Sequence, residues 1–538
     1  MVSIALSILL GWSVMITPAP LGREAEFSAY RMADHIRVIA EEERSVFHPE
    51  RRMYVRDYII GVMEGYGLTA EIDDFVVMWP DYAGREIALE GSNVFFRIPG
   101  RSNTAIMLMA HYDSRGVDWT LHPDTDVRSP GASDAGYGIA TMLEIARNFA
   151  TRDDLENSIY FFFTDLEEIW MLGAVHAVET MDFSNVNMIL NLEARGIRGP
   201  VYMFETNDRD FNVVRFFRDS TRHRFSYSLA TAIFRIMQND TDLSPFLEQG
   251  FAGMNFAPLD SIMYYHSELD SYENISLTTL QHYIEMIAEI VEFYATNSRF
   301  SDVNYFVSDH SGVYFSMPFG YLILYTGQTA VILAVIMLIL MLALVFYSIY
   351  MGNACIWKIL SWLLYIIIAM VVAAAIGLVI SNVVSFVTDV PFNLMYMRVY
   401  SEMYIKYPSV IFAIIGFGLF HCAMRKRYNR HEMAIGAMLL LTVVNILLVF
   451  VMVEATFIAF VPLALTFIFF ILSEIRAKNA IWFYTTATLP MAFMGIFILP
   501  TLRAFTLALT IGGLAIVMAM AVFMVISIFP LWCEHESQ

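Results

Sequence analysis

The stretch from Tyr137 to Glu168, YGIATMLEIARNFATRDDLENSIYFFFTDLEE, decides the fold. In its first half Ile139, Met142, Leu143, Ala146 and Phe149 recur at the three-and-four spacing of one buried helical face. In its second half SIYFFFT (158–164) is a short, unbroken apolar and aromatic run, the signature of a strand buried on both faces. A similar run, TAIMLMA (104–110), comes before the helix, and NMILNL (187–192), VYMF (201–204) and GMNFA (253–257) follow it. Strand, helix, strand in this order predicts an α/β fold: a mostly parallel mixed sheet flanked by helices. In such sheets ligands bind just beyond the C-terminal ends of the strands.

Outside this region the chain changes character. Its 538 residues are 57% hydrophobic, with a mean hydropathy of +0.54, too apolar for a wholly soluble protein. Apolar runs recur at roughly 320–350, 357–385, 408–424, 433–453, 455–473, 480–500 and 503–530, which predicts an all-α polytopic membrane domain over 320–538 with about seven transmembrane helices. Residues 1–20 hold a further apolar segment, a signal anchor or a cleaved signal peptide, although the basic residues that precede a signal sequence are absent. Residues 24–316 between them have the charge and mixed periodicity of a soluble domain.

The basic clusters RKRYNR (425–430) and RAK (476–478), with Lys358, fall on one side of alternating spans, which marks that side as cytoplasmic. If the first segment is retained as a span, both termini are inside and residues 24–316 lie outside the cytoplasm, in the cell exterior or an organelle lumen. Cys355, Cys422 and Cys533 then sit at or near the cytoplasmic face, so the soluble domain has neither disulfides nor thiolate ligands. A formal net charge of -20 argues against a nucleic-acid partner. The spans carry few ionisable residues, chiefly Glu454, which leaves an ion pathway unsupported. Nothing in the pattern bears on oligomeric state.

The predicted strand ends collect chemistry. TAIMLMA runs into HYDS, offering His111 and Asp113; GASDAG places Asp134 where the helix opens; SIYFFFT runs into DLEE, with Glu167 and Glu168; NMILNL runs into NLEARG, with Glu193; and YYHSELDS carries Tyr265 and His266. Two imidazoles and several carboxylates make a site for divalent metal. Two ions need one bridging carboxylate and terminal ligands for each. Asp134 suits the bridge, His111 and Glu193 one ion, and Glu168 and His266 the other. Asp113 would fix the His111 tautomer. Glu167, beside a ligand but not itself one, would be the base that takes a proton from the shared water and passes it to the leaving amine. Tyr265 would donate to the developing oxyanion. His122, His176, His223, His282 and His310 have no comparable setting.

In this order, HYDS, GASDAGYGIATMLE, DLEE, NLEARG and YYHSELDS resemble the di-zinc aminopeptidases of peptidase family M28, over roughly residues 90–290. A soluble domain followed by a polytopic one resembles in particular the vacuolar or endoplasmic-reticulum membrane metallopeptidases of that family. The resemblance implies a zinc-exopeptidase-like fold, two zinc ions on the residues named above, and a membrane-bound exopeptidase, most concretely an aminopeptidase, acting on peptides. Two departures bear on this: Ala135 follows Asp134 where many soluble members have an acid or amide, and IWMLGA follows the paired glutamates where glycine and serine are frequent. Glutaminyl cyclases, single-zinc acyltransferases, are similar at HYDS and the paired glutamates, but they have a shorter acid where this chain has Glu193. A third reading, a non-catalytic receptor or transporter with a peptidase-like ectodomain, sits poorly with an intact ligand set.

Overall fold

A computed structural model describes residues 2–80, 86–116, 128–236, 239–395, 397–400, 402–475 and 479–532. His122, Cys533 and the RAK stretch at 476–478 lie outside the described residues. The chain divides into two compact units, one of Ile16–Gly312 with Gly320–Leu324, the other of Met1–Met15, Val313–Phe319 and Tyr325–Gln538.

The first unit is built on a seven-stranded sheet in the order β1-β2-β4-β3-β5-β7-β6. The strands are β1 Glu71–Pro80, β2 Glu86–Ile98, β3 Ala105–His111, β4 Ser158–Thr164, β5 Val186–Leu192, β6 Arg198–Thr206 and β7 Gly253–Asp260. The central four, β4, β3, β5 and β7, run parallel, while β2 is antiparallel to β4, β1 to β2 and β6 to β7. Every residue of β3, β4 and β5 is buried, which is why these strands read as continuous apolar runs. Alternate side chains divide between the faces. Met107, Met109, Phe162 and Ile189 pack on one side with Ala174, Ala177, Leu243 and Phe246, from helices Leu172–Thr180 and Leu243–Glu248. Helix Gly136–Phe149 lies against β3 and β5 on the other side, between helices Ala29–Ile39 and Leu277–Ala295.

This is the expected mixed, mostly parallel sheet flanked by helices, with the β1–β2 hairpin added at one edge. That hairpin is hard to read because its outer strand is half exposed. Phe75 is the one buried residue of β1, and the acids Asp73 and Asp74 interrupt the apolar run.

In the second unit, seven helices among the described residues are long and apolar enough to cross a membrane: Gly327–Tyr350, Ile356–Thr388, Glu402–Met424, Arg430–Val451, Val453–Ile475, Ile481–Ala508 and Ile511–Leu531. The N-terminal segment is helical over Val2–Ser13, about 18 Å of rise against a hydrocarbon core of about 30 Å. It packs closely on helix Ala480–Ala508, where Gly11 meets the Gly495 carbonyl so tightly that a Cβ would stand 2.4 Å from its oxygen.

The third span starts six residues earlier than its apolar run, because two charges inside it cancel. Fully buried Lys406 bonds Glu402 at 2.6 Å and the Leu509 carbonyl at 3.0 Å, and the Ile511 N–H donates to the other Glu402 oxygen at 3.0 Å. The pair thus takes up backbone groups released where helix Ala480–Ala508 ends. It corrects the expectation that Glu454 is the main ionisable residue of the spans.

Candidate metal centre

Each residue singled out above lies at the C-terminal edge of the parallel strands. His111 is the last residue of β3, Glu167 and Glu168 stand in the turn after β4, and Glu193 directly follows β5. Asp134 is in the turn that opens helix Gly136–Phe149, and Tyr265 and His266 follow the short 3-10 turn Ile262–Tyr264 after β7. The fold therefore gathers onto one edge residues that span 156 positions of sequence, from His111 to His266 counted inclusively.

Asp134 stands between the two histidines. Its Oδ1 lies 3.4 Å from His111 Nε2 and its Oδ2 lies 3.3 Å from His266 Nε2. A glutamate faces the same nitrogen of each imidazole, with Glu193 Oε2 3.5 Å from His111 Nε2 and Glu168 Oε2 3.5 Å from His266 Nε2. The result is two candidate half-sites that would share one carboxylate. They are adjacent, since ligand atoms of His111, Asp134 and Glu168 all lie within 4.8 Å of one another.

These spacings decide what the site accommodates. An N–H···O hydrogen bond favours about 2.9–3.0 Å. Two ligand atoms of one tetrahedral ion, each about 2.0–2.2 Å from it, stand about 3.3–3.6 Å apart. All four distances fall in the second range. Moreover, His111 Nε2 faces two carboxylates and has no hydrogen-bond partner among the described residues. The donor set of imidazole and carboxylate suits zinc.

The electrostatics point the same way. Burial pushes the Glu168 carboxyl well above its ordinary range, and the Asp134 charge adds to it. Burial likewise raises Glu167, with Glu193 and Glu168 opposing its ionisation and His111 favouring it. Burial works to raise Asp134 as well, but His111 and His266 outweigh it and hold this carboxyl below the usual range. Burial lowers His111 and is outweighed by the Glu193 and Glu167 charges, so the ring is held well above its ordinary value. Such crowded acids call for added positive charge. Tyr265 stacks on the His266 ring at 3.6 Å between centroids, and burial raises its hydroxyl well above the ordinary phenol value.

A further layer of groups contacts the candidate ligands. Asp113 accepts the Glu167 and Glu168 N–H groups at 3.1 and 3.2 Å, and its carbonyl and carboxylate lie 3.1 and 3.4 Å from His111 Nδ1. Asp270 accepts from Ser133 N–H and hydroxyl at 2.8 and 2.7 Å and from Asp134 N–H at 3.1 Å, fixing the turn that carries the shared carboxylate. Buried Arg44 ties Tyr112, Pro130 and Gly131 together through their carbonyls. Asn191 donates to Glu193 at 3.2 Å, and Arg115 to Glu168 at 3.1 Å. The sequence reading passed over Asp270, Arg44, Asn191 and Arg115. Asp270 lay within the quoted YYHSELDS, and an acid four residues beyond a candidate ligand was the available signal. Leu166, Trp170, Met171 and His266 adopt left-handed backbone with φ of 57°, 60°, 56° and 55°, conformations that concentrate where a fold holds functional groups in place.

Residues 93–291 match peptidase family M28. A vacuolar membrane protease of Candida dubliniensis is 29% identical over 40% of this chain and 22% of its own length. Endoplasmic reticulum metallopeptidase 1 of Rattus norvegicus is 29% identical over 33% of this chain and 20% of its own. The chain therefore spans about a fifth of the length of the curated relatives it matches. Among solved structures, an aminopeptidase from Aneurinibacillus sp. strain AM-1 superposes with a TM-score of 0.42 at 13% identity, over 50% of this chain and 94% of that one. The stretch that matches peptidase family M28, residues 93–291, contains every motif placed along the sheet edge.

Proposed function

We propose that this chain is a membrane-bound, zinc-dependent exopeptidase, an aminopeptidase that hydrolyses peptides outside the cytoplasm. The observation that carries the reading is Asp134, whose two oxygens face different histidines at 3.4 and 3.3 Å, each histidine backed by its own glutamate. His111, Asp134 and Glu193 would hold one zinc, and His266, Asp134 and Glu168 the other. Two bound zinc ions supply Lewis acidity to a shared water and to the scissile carbonyl.

The chain's own groups do the rest. Glu167 takes the proton from the attacking water and returns it to the amine as the C–N bond breaks, a task suited to a carboxyl raised by its surroundings. Tyr265 donates its hydroxyl to the oxyanion, and Asp113 holds the Glu167–Glu168 backbone and the His111 ring in register. The seven apolar helices and the membrane relatives support a multi-pass protein, and the basic residues at 425–430 with Lys358 favour a catalytic domain in an organelle lumen or at the cell exterior and a cytoplasmic C-terminus.

Full-length protein in detergent is expected to bind two zinc ions at saturation and to cleave aminoacyl fluorogenic substrates. Glu167→Gln should lower kcat by about 10²–10⁴ while zinc content holds. Full turnover in that variant would remove Glu167 as the base; zinc-loaded protein inert across a broad aminoacyl panel would remove the aminopeptidase assignment.

A further inference from the structure

The two half-sites differ in what stands behind their glutamates. On the His111 side, Asn191 Nδ2 donates to Glu193 Oε1 at 3.2 Å, which leaves Oε2 turned toward His111 Nε2. The far nitrogen of that imidazole faces the Asp113 carbonyl and carboxylate, an arrangement that fixes the ring and strengthens it as a ligand. The His111 side chain is 1% exposed.

On the His266 side, the hydrogen bond falls on the opposite kind of oxygen. Arg115 Nη1 donates to Glu168 Oε2 at 3.1 Å, and Oε2 is the oxygen that faces His266 Nε2. The same nitrogen is pinned by a second bond, to the Glu168 carbonyl at 3.0 Å. Glu168 Oε1, where a donor would orient the carboxylate without competing, takes no hydrogen bond among the described residues. A guanidinium on the oxygen that faces the histidine takes one of its two lone pairs, draws down the oxygen's negative charge and sets a fixed positive charge beside the place a cation would take. Unlike lysine, arginine cannot relieve this by deprotonating. His266 is also more open, with 10% of its side chain exposed.

We propose that Arg115 makes the His266–Glu168 half-site the weak one, so that metal loads stepwise: the His111–Glu193 side first, the His266–Glu168 side only at higher zinc, when Arg115 releases Glu168 Oε2. The proposal rests on the two-metal reading above. Arg115 is here a positioning residue, acting on the metal through Glu168.

The test is a zinc titration of metal-stripped, full-length protein in detergent against a fluorescent chelator, a readout independent of turnover. Wild type should show two steps at least about tenfold apart, and Arg115→Met should tighten the weaker step by about 10–100-fold and leave the tighter one in place. Arg115→Lys, whose cation can deprotonate as the metal enters, should give a second step between those of wild type and Arg115→Met. Two equal steps in wild type overturn the proposal whether or not the variants fold. So does an Arg115→Met protein with an unmoved or weakened second step, which would mean that the guanidinium orients Glu168. Equal steps leave the two-metal reading standing, whereas a wild-type chain that takes only one zinc at saturation overturns that reading and this proposal together.

Discussion

Gly138→Ala is expected to disable the metal centre without altering any ligand. Gly138 lies in the first turn of helix Gly136–Phe149, where a Cβ would stand 2.2 Å from the Leu192 carbonyl oxygen and 3.0 Å from both Ala110 Cβ and Leu192 Cβ. Ordinary contact begins at 3.4 Å, so the helix and strand must part by about 1 Å. β5 cannot yield, since it pairs with β3 on one side and β7 on the other. The start of the helix moves instead, and Asp134 moves with it. Leu192 and Ala110 immediately precede Glu193 and His111, so the clash falls where three proposed ligands converge.

Overpacking of this kind costs about 1–3 kcal/mol, and the better helix propensity of alanine returns up to about 1 kcal/mol of it. Global stability should therefore fall only modestly. Metal sites, however, tolerate ligand displacements of only about 0.2 Å, and a 1 Å misplacement costs about 10²-fold in turnover. Zinc titration and thermal unfolding, run side by side on full-length protein, should show affinity collapsing by at least about 100-fold while the unfolding midpoint of the metal-free protein moves by a few degrees. Gly61→Ala, whose Cβ would meet nothing within 4 Å, is the matched control and should leave zinc binding unchanged. A Gly138→Ala protein with wild-type zinc affinity would refute the argument that this close approach sets the ligand geometry.

Acid should weaken the soluble unit through His282. Burial, with the His223 charge adding, pushes its imidazole down from 6.5 to about 3, and its Nδ1 accepts the Val201 N–H at 3.2 Å. The folded value lies below the unfolded one, so this contribution is intact above pH 6.5 and is lost as pH falls toward 3, by about 2 kcal/mol at pH 5. His282→Gln should flatten the unfolding midpoint between pH 6.5 and 5 relative to wild type, and an unchanged slope would assign the acid sensitivity elsewhere. In the helical unit, Lys406→Met should strand the buried Glu402 charge and cost about 3–5 kcal/mol, with much of it recovered in Glu402→Gln/Lys406→Met. Thermal melts in detergent check this, and additive losses in the double variant would mean that the two side chains are not coupled.

The legible parts of the fold share one physical property. β3, β4 and β5 are buried on both faces, so burial writes itself directly into composition, and the ligands follow because a parallel sheet concentrates its loops at one edge. β1 escaped because half of it faces solvent, and the start of helix Glu402–Met424 escaped because a neutralised ion pair looks, residue by residue, like two exposed charges. The supporting groups were illegible for a different reason. Asp270 reaches Ser133 across 137 positions of sequence, and its partners are mainly backbone N–H groups, which carry no residue-type signal.

The least legible feature is also the one with most bearing on metal loading. Glu168 and Glu193 are the same residue type, each just past the end of a buried parallel strand, each opposite a histidine and sharing Asp134, and a reading of residue types gives them equal rank. They are distinguished by a single choice of oxygen. Asn191 takes the Glu193 oxygen that faces away from its histidine, and Arg115 takes the Glu168 oxygen that faces toward its own. Because Asn191 lies two residues from Glu193 while Arg115 arrives from a loop 53 positions before Glu168, one half-site is braced by its own strand and the other is opposed by a neighbour. Symmetry in the ligand list therefore does not imply symmetry in affinity, and a metal count made at one zinc concentration would not distinguish a one-metal enzyme from a two-metal enzyme whose second half-site is held back.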